Sequence, residues 1–170
     1  MESKVKLLGH PIHPMLIVFP LGLLAIGVLF DIIRMFTGND ALAAVAFWNI
    51  AAGVVGGLLA ALFGFIDWLN VPAGTRAKQV GLLHGGGNVV VVALFAVSWL
   101  LRLGEPNYVP STTAFVLGIV AVLIALVTGW LGGELVYRLG VGVDAGAGLN
   151  APSSLSSEPA QAVKTLDTSA

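Results

Sequence analysis

Four apolar stretches, at residues 15–35, 43–69, 82–103 and 113–137, each reach the ~20 residues an α-helix needs to cross ~30 Å of hydrocarbon. No other feature limits the fold as strongly. With 57% hydrophobic and 10% charged residues and a mean hydropathy of +0.95, the chain lacks the polar surface of a soluble domain, in which about a quarter of residues are charged. The connections near 38–40, 70–78 and 104–110 are short and rich in Gly, Pro and Asn, so consecutive helices are antiparallel neighbours. The expected fold is all-α: a polytopic, up-down four-helix membrane bundle over residues 1–142.

Lysine and arginine set the orientation. Lys4, Lys6, Arg76, Lys78 and Arg138 flank one side, against Arg34 and Arg102 on the other, and the richer side belongs in the cytoplasm. The expectation is a multi-pass protein of the cell inner membrane with both termini cytoplasmic. Trp48 and Trp99 near the outer ends and Trp68 near an inner end suit an interfacial aromatic belt. The first apolar run is too long for a signal peptide and has no small-residue cleavage site, so it is expected to remain as a span. Residues 143–170, rich in Ala, Ser, Gly and Pro without apolar periodicity, are expected to form a disordered tail. The partner expected from composition is the lipid bilayer, and a net charge of −1 speaks against nucleic acid.

Reversal at each crossing brings all three histidines and two acids to one end. His10 and His13 precede the first stretch, Asp67 closes the second, His84 opens the third and Glu134 closes the fourth. Ionisable groups in membranes usually serve function, and these five have the chemistry of a metal or haem site. The spacings also allow a duplicated hairpin. His13 and Asp67 bound one pair of helices, His84 and Glu134 the other, with Gly64 and Gly129 shortly before the acids.

Each group has a plainer reading. In Gly9-His10-Pro11-Ile12-His13-Pro14 each histidine precedes a proline, which favours an extended backbone, with Pro14 at the first helical position; the imidazoles then either join the site or only meet water and headgroups. Pro20 is expected to kink the first helix and free the Leu16 carbonyl. His84 lies among Gly81, Gly85, Gly86 and Gly87, which either pack helices closely or clear space for a planar macrocycle, with Asn88 one turn on to orient it. Glu134 has Arg138 at i+4 as a simple ion-pair partner, and Asp31 has Arg34 at i+3. Asp67 has no base one turn away, so a histidine, a metal or Arg76 is its expected partner.

Zero cysteines exclude thiolate ligation and c-type haem attachment. A haem would be b-type, held by His84 with His10 or His13 and flanked by Asn88; alternatively His10, His13, His84, Asp67 and Glu134 would hold a transition metal ion. Nucleotide-binding and hydrolase fingerprints are missing from the sequence.

The strings GHPIHPMLIVFPLGLL (9–24), GFIDW (64–68), HGGGN (84–88) and GGELVYRLGVGV (132–143) resemble the bacterial membrane proteins grouped as domain of unknown function 2231. The resemblance covers about residues 7–143 and implies a four-helix inner-membrane protein. Some members are fused to Rieske-type iron–sulfur or c-type cytochrome modules, which implies a redox setting; the chain carries no such module, so an electron partner would be a separate redox protein or a quinone. The expected function is haem b or metal binding with electron transfer near the cytoplasmic face. Two alternatives stay open: a cofactor-free scaffold or homo-oligomer packing through Gly53/Gly57, Gly81/Gly85 and Gly129/Gly133, and a small proton-linked transporter using Asp31 and the inner cluster.

Overall fold

The computed structural model describes residues 1–156. A short antiparallel pair, β1 (Lys6–Leu7) with β2 (His10–Pro11), leads into α1 (Ile12–Leu16), α2 (Val18–Thr37), α3 (Ala41–Leu69), α4 (Arg76–Leu100) and α5 (Thr112–Gly133). A five-residue π turn, Glu134–Arg138, extends α5. With α1 and α2 counted as one span, four helical segments are long and apolar enough to cross a membrane. Their outward faces carry a belt of exposed apolar side chains, among them Phe19, Leu62, Val89 and Leu126, as contact with lipid requires.

Local chemistry explains the boundaries. Thr75 accepts a hydrogen bond from Lys78 N (3.2 Å), capping α4 six residues before the apolar stretch begins. Ser111 caps α5 in the same way through Ala114 N. Pro20 has no N–H to offer the Leu16 carbonyl, and the first span breaks beside it, at Ile17 between α1 and α2. Of the two histidines before prolines, His10 is extended as expected, whereas His13 is helical, because Pro14 falls in the first turn of α1, where no N–H is needed.

Helix α2 packs mainly on α3 and α4 on α5, and the two hairpins meet through α3–α4 and α2–α5. The core is a layer of Leu24, Val28, Ile50, Val91, Phe95 and Ala121. Equivalent positions recur with a constant offset. His13/His84, Gly27/Ser98 and Asp31/Arg102 are each 71 residues apart on the first helices; Ala46/Ala114, Ala60/Thr128 and Gly64/Gly132 are each 68 apart on the second. Ser98 Oγ donates to Ala114 O (2.7 Å), and a Cβ at Gly27 would lie 3.4 Å from Ala46 O. Position 27 thus faces Ala46 in the first hairpin as position 98 faces Ala114 in the second.

Asp31 and Arg102, at equivalent positions, meet in a fully buried bidentate pair (3.0 and 2.6 Å). This replaces the expected Asp31–Arg34 pair, since Arg34 reaches the loop to Asp40 (2.8 Å) and Asp31 faces the bundle interior. Several glycines are used up within the chain: a Cβ would strike Leu24 from Gly53, Val92 from Gly57, Trp68 from Gly81 and Thr128 from Gly87. Met1 donates its amino group to Gly140 O (2.8 Å), which fixes the N-terminus at the end of the bundle where the last span finishes. Residues 143–156, expected to be disordered, run back over the N-terminal strap: Lys6 approaches Asp144 (3.8 Å) and Ser154 Oγ donates to Leu8 O (3.0 Å). The remainder of the expected tail, 157–170, lies outside the described residues.

Candidate functional site

Two of the three histidines come together. The rings of His13 and His84 lie 6.3 Å apart, centre to centre, with perpendicular planes. Each belongs to the first helix of its hairpin and is held by the second. His13 Nδ1 bonds Ala60 O at 2.8 Å, and His84 Nδ1 bonds Thr128 O at 2.8 Å. A carbonyl oxygen can only accept, so Nδ1 carries the proton in both rings, and Nε2 is the nitrogen left to bear the lone pair of a neutral ring. Four residues beyond each carbonyl stands a glycine, one helical turn on, whose missing side chain is the seat of the ring. A Cβ at Gly64 would lie 2.8 Å from His13, and one at Gly132 would lie 3.0 Å from His84.

The two halves differ around this shared frame. Asn88 Nδ2 donates to His84 O (2.9 Å) and sits 3.5 and 3.4 Å from the two ring nitrogens. Its Oδ1 accepts from Thr128 Oγ1 (2.9 Å). Asn88 thus steadies the His84 ring, whereas the sequence suggested a role toward the cofactor itself. The corresponding position before α2 is Ile17, which offers His13 no such support. Among the described residues no hydrogen bond engages His13 Nε2.

The other expected ligands are engaged elsewhere. His10 is exposed on β2, its Nε2 3.3 Å from Ser154 Oγ, because the extended strand turns it away from the bundle. Asp67 receives Ser3 Oγ between its two oxygens (2.7 and 2.8 Å) and Lys4 N on Oδ1 (3.0 Å). Glu134 pairs with Arg76 (2.6 Å) rather than with Arg138, since the π turn carries it toward the start of α4. Among the described residues no group of three or more His, Asp or Glu side chains is arranged to hold a metal ion. On the strap, the hydrogen bond from Lys6 holds the Glu2 carboxyl below the ordinary carboxylate range. Gly85, Gly86 and Gly129 face open space, so the glycines that make room for imidazoles are Gly64 and Gly132 instead.

Sequence reasoning missed the carbonyls of Ala60 and Thr128, the seats at Gly64 and Gly132, and Ser3. A signal existed for the first four: small-x-x-x-Gly occurs at 60–64 and again at 128–132, with the same offset. Pairing Gly64 with Gly129 obscured it.

No curated protein and no solved structure matches the chain. The motifs that build this site fall within residues 9–145, the span over which the chain matches the family described as predicted membrane protein (DUF2231), and it is to that family that the chain belongs.

Proposed function

We propose that the protein is a haem b-binding electron carrier of the bacterial inner membrane, in which His13 and His84 would hold the haem on the cytoplasmic side. The observation that carries this reading is the matched pair of imidazoles, each donating Nδ1–H to a carbonyl, with His13 Nε2 unengaged among the described residues and His84 Nε2 met by Asn88 Nδ2 at 3.4 Å. Ligating histidines almost always make that second bond, which fixes the tautomer and raises the basicity of the ligating nitrogen. With Asp67 and Glu134 committed to other partners, two imidazoles suit a cofactor that brings its own equatorial nitrogens better than a bare ion. Helix α1 packs on α3 and makes at most marginal contact with α4 and α5, so the gap between the rings can adjust to a planar group.

When bound, haem iron supplies one-electron redox chemistry. The chain's own part is to hold two imidazoles, one from each hairpin, each fixed by its Nδ1–H bond to a carbonyl. The electron partner is a separate redox protein or a quinone.

The test is the visible spectrum and metal content of detergent-purified protein from haem-replete cells. A Soret band with about one haem per chain, lost in His13→Ala and in His84→Ala, is the expected result. Stoichiometric metal without a Soret band would favour an ion on the same pair. Protein with neither would leave a scaffold or transporter as the better account.

A further inference from the structure

The acid of the GFIDW motif is not among the ligands proposed above, yet its placement bears on one of them. Helix α3 presents Ala60, Gly64 and Asp67 at i, i+4 and i+7, one face over two turns. Ala60 O takes the His13 Nδ1 proton and Gly64 seats the ring. Asp67, at the end of that face, grips the strap that leads to the same histidine. Ser3, only 6% exposed, donates to both carboxylate oxygens, and Lys4 N donates to one of them. From there a short relay returns to the histidine: Val5 N donates to Ser3 Oγ (3.2 Å), and Ile12 N, the residue before His13, donates to Val5 O (3.1 Å).

His13 needs such a hold more than His84 does. It sits in a five-residue helix cut off from α2 at Ile17, whereas His84 lies inside the continuous 25-residue α4 with Asn88 beside it. The hairpins differ accordingly. The counterpart of Asp67 on α5, seven residues after Thr128, is Leu135, and the neighbouring Glu134 meets an Arg76 side chain that is 59% exposed, a screened contact of little weight.

We infer that Asp67 is the positioning residue of His13: by clamping Ser3 and Lys4 it fixes the strap so that the His13 ring stays on Ala60 O with Nε2 free. The inference rests on the reading of His13 as a ligand, but its first readout does not require a bound cofactor. In ¹⁵N-histidine NMR of reduced, full-length protein in detergent, His13 and His84 should both show the Nδ1–H tautomer. Asp67→Ala should shift His13 to a tautomer mixture and leave His84 unchanged. Asp67→Asn, which keeps an acceptor oxygen for Ser3, should restore the wild-type pattern, and Glu134→Ala should move neither ring. Haem affinity should fall about tenfold in Asp67→Ala, the lower end of the range for residues behind a ligand. Should Asp67→Ala not fold, Ser3→Ala removes the Ser3 part of the clamp and the link to Val5 N from outside the spans, and should shift His13 in the same direction. A His13 tautomer unmoved by either substitution overturns the inference. Wild-type protein without haem or metal overturns the proposed function instead, and the tautomer readout still decides the role of Asp67.

Discussion

A methyl group added at Gly64 would meet the His13 ring at 2.8 Å, and one at Gly132 would meet His84 at 3.0 Å. Neither ring can retreat without giving up its Nδ1–H bond to Ala60 O or Thr128 O. Gly64→Ala and Gly132→Ala should each cost about 1–3 kcal/mol, the usual range for overpacking a tight site. Each should also displace its imidazole, so haem occupancy measured by absorbance should fall further than thermal stability. Gly85→Leu is the matching control. Although Gly85 is next to His84 in sequence, its Cβ direction is open, and the substitution should leave both stability and occupancy near wild type. Loss of occupancy in Gly85→Leu with retention in Gly132→Ala would reverse the assignment of the two glycines. From sequence Gly81 and Gly85 looked like one packing face; helix packing instead sets Gly81 and Gly87 against side chains and leaves Gly85 and Gly86 open.

Between helices, the Asp31–Arg102 pair joins α2 to the outer end of α4, and Ser98 lies 3.5 Å from the guanidinium. Breaking a buried pair strands the remaining charge in a low-dielectric interior, which typically costs 3–5 kcal/mol, whereas replacing both partners with apolar groups is often neutral. Asp31→Ala should therefore lower the thermal stability in detergent by about that amount, while Asp31→Leu with Arg102→Met should recover most of the loss. The two positions are equivalents in the duplicated hairpin, so the exchanged pair Asp31→Arg with Arg102→Asp should also recover stability. A swapped protein no more stable than the single variants would show that the two environments are not interchangeable. The sequence favoured Arg34 as the partner because i+3 proximity is visible in one dimension. Arg102 is 71 residues away, and only helix packing brings it there.

For the molecule in its membrane, the buried pairing of Arg102 sharpens the charge asymmetry. With Arg102 neutralised inside the bundle and Arg34 paired to Asp40, the outer end presents no basic side chain without a carboxylate partner among the described residues, while Lys4, Lys78 and Arg138 flank the inner end without one. The cytoplasmic placement of the inner end is accordingly testable. Since the chain has no cysteine, single substitutions report cleanly. Glu105→Cys in intact cells should react with a membrane-impermeant maleimide, and Ala73→Cys should react only after the membrane is opened. The opposite labelling pattern would invert the topology and move the His13–His84 pair to the other face.

By itself the sequence determined the class, the number of spans and the end of the bundle where the histidines gather. Those follow from apolar length and from chain reversal, which need no knowledge of packing. It also carried the repeat, in the offsets of 71 and 68, although the acids and Gly129 pointed to a different alignment. The tertiary structure decided which groups meet. Asp67 turned from candidate ligand to clamp, Glu134 went to Arg76, and His10 went to the surface. The physical reason is the range of the information. Hydropathy is a local sum along the chain, whereas a partner is chosen by helix rotation and by the π turn, which depend on contacts between hairpins distant in sequence.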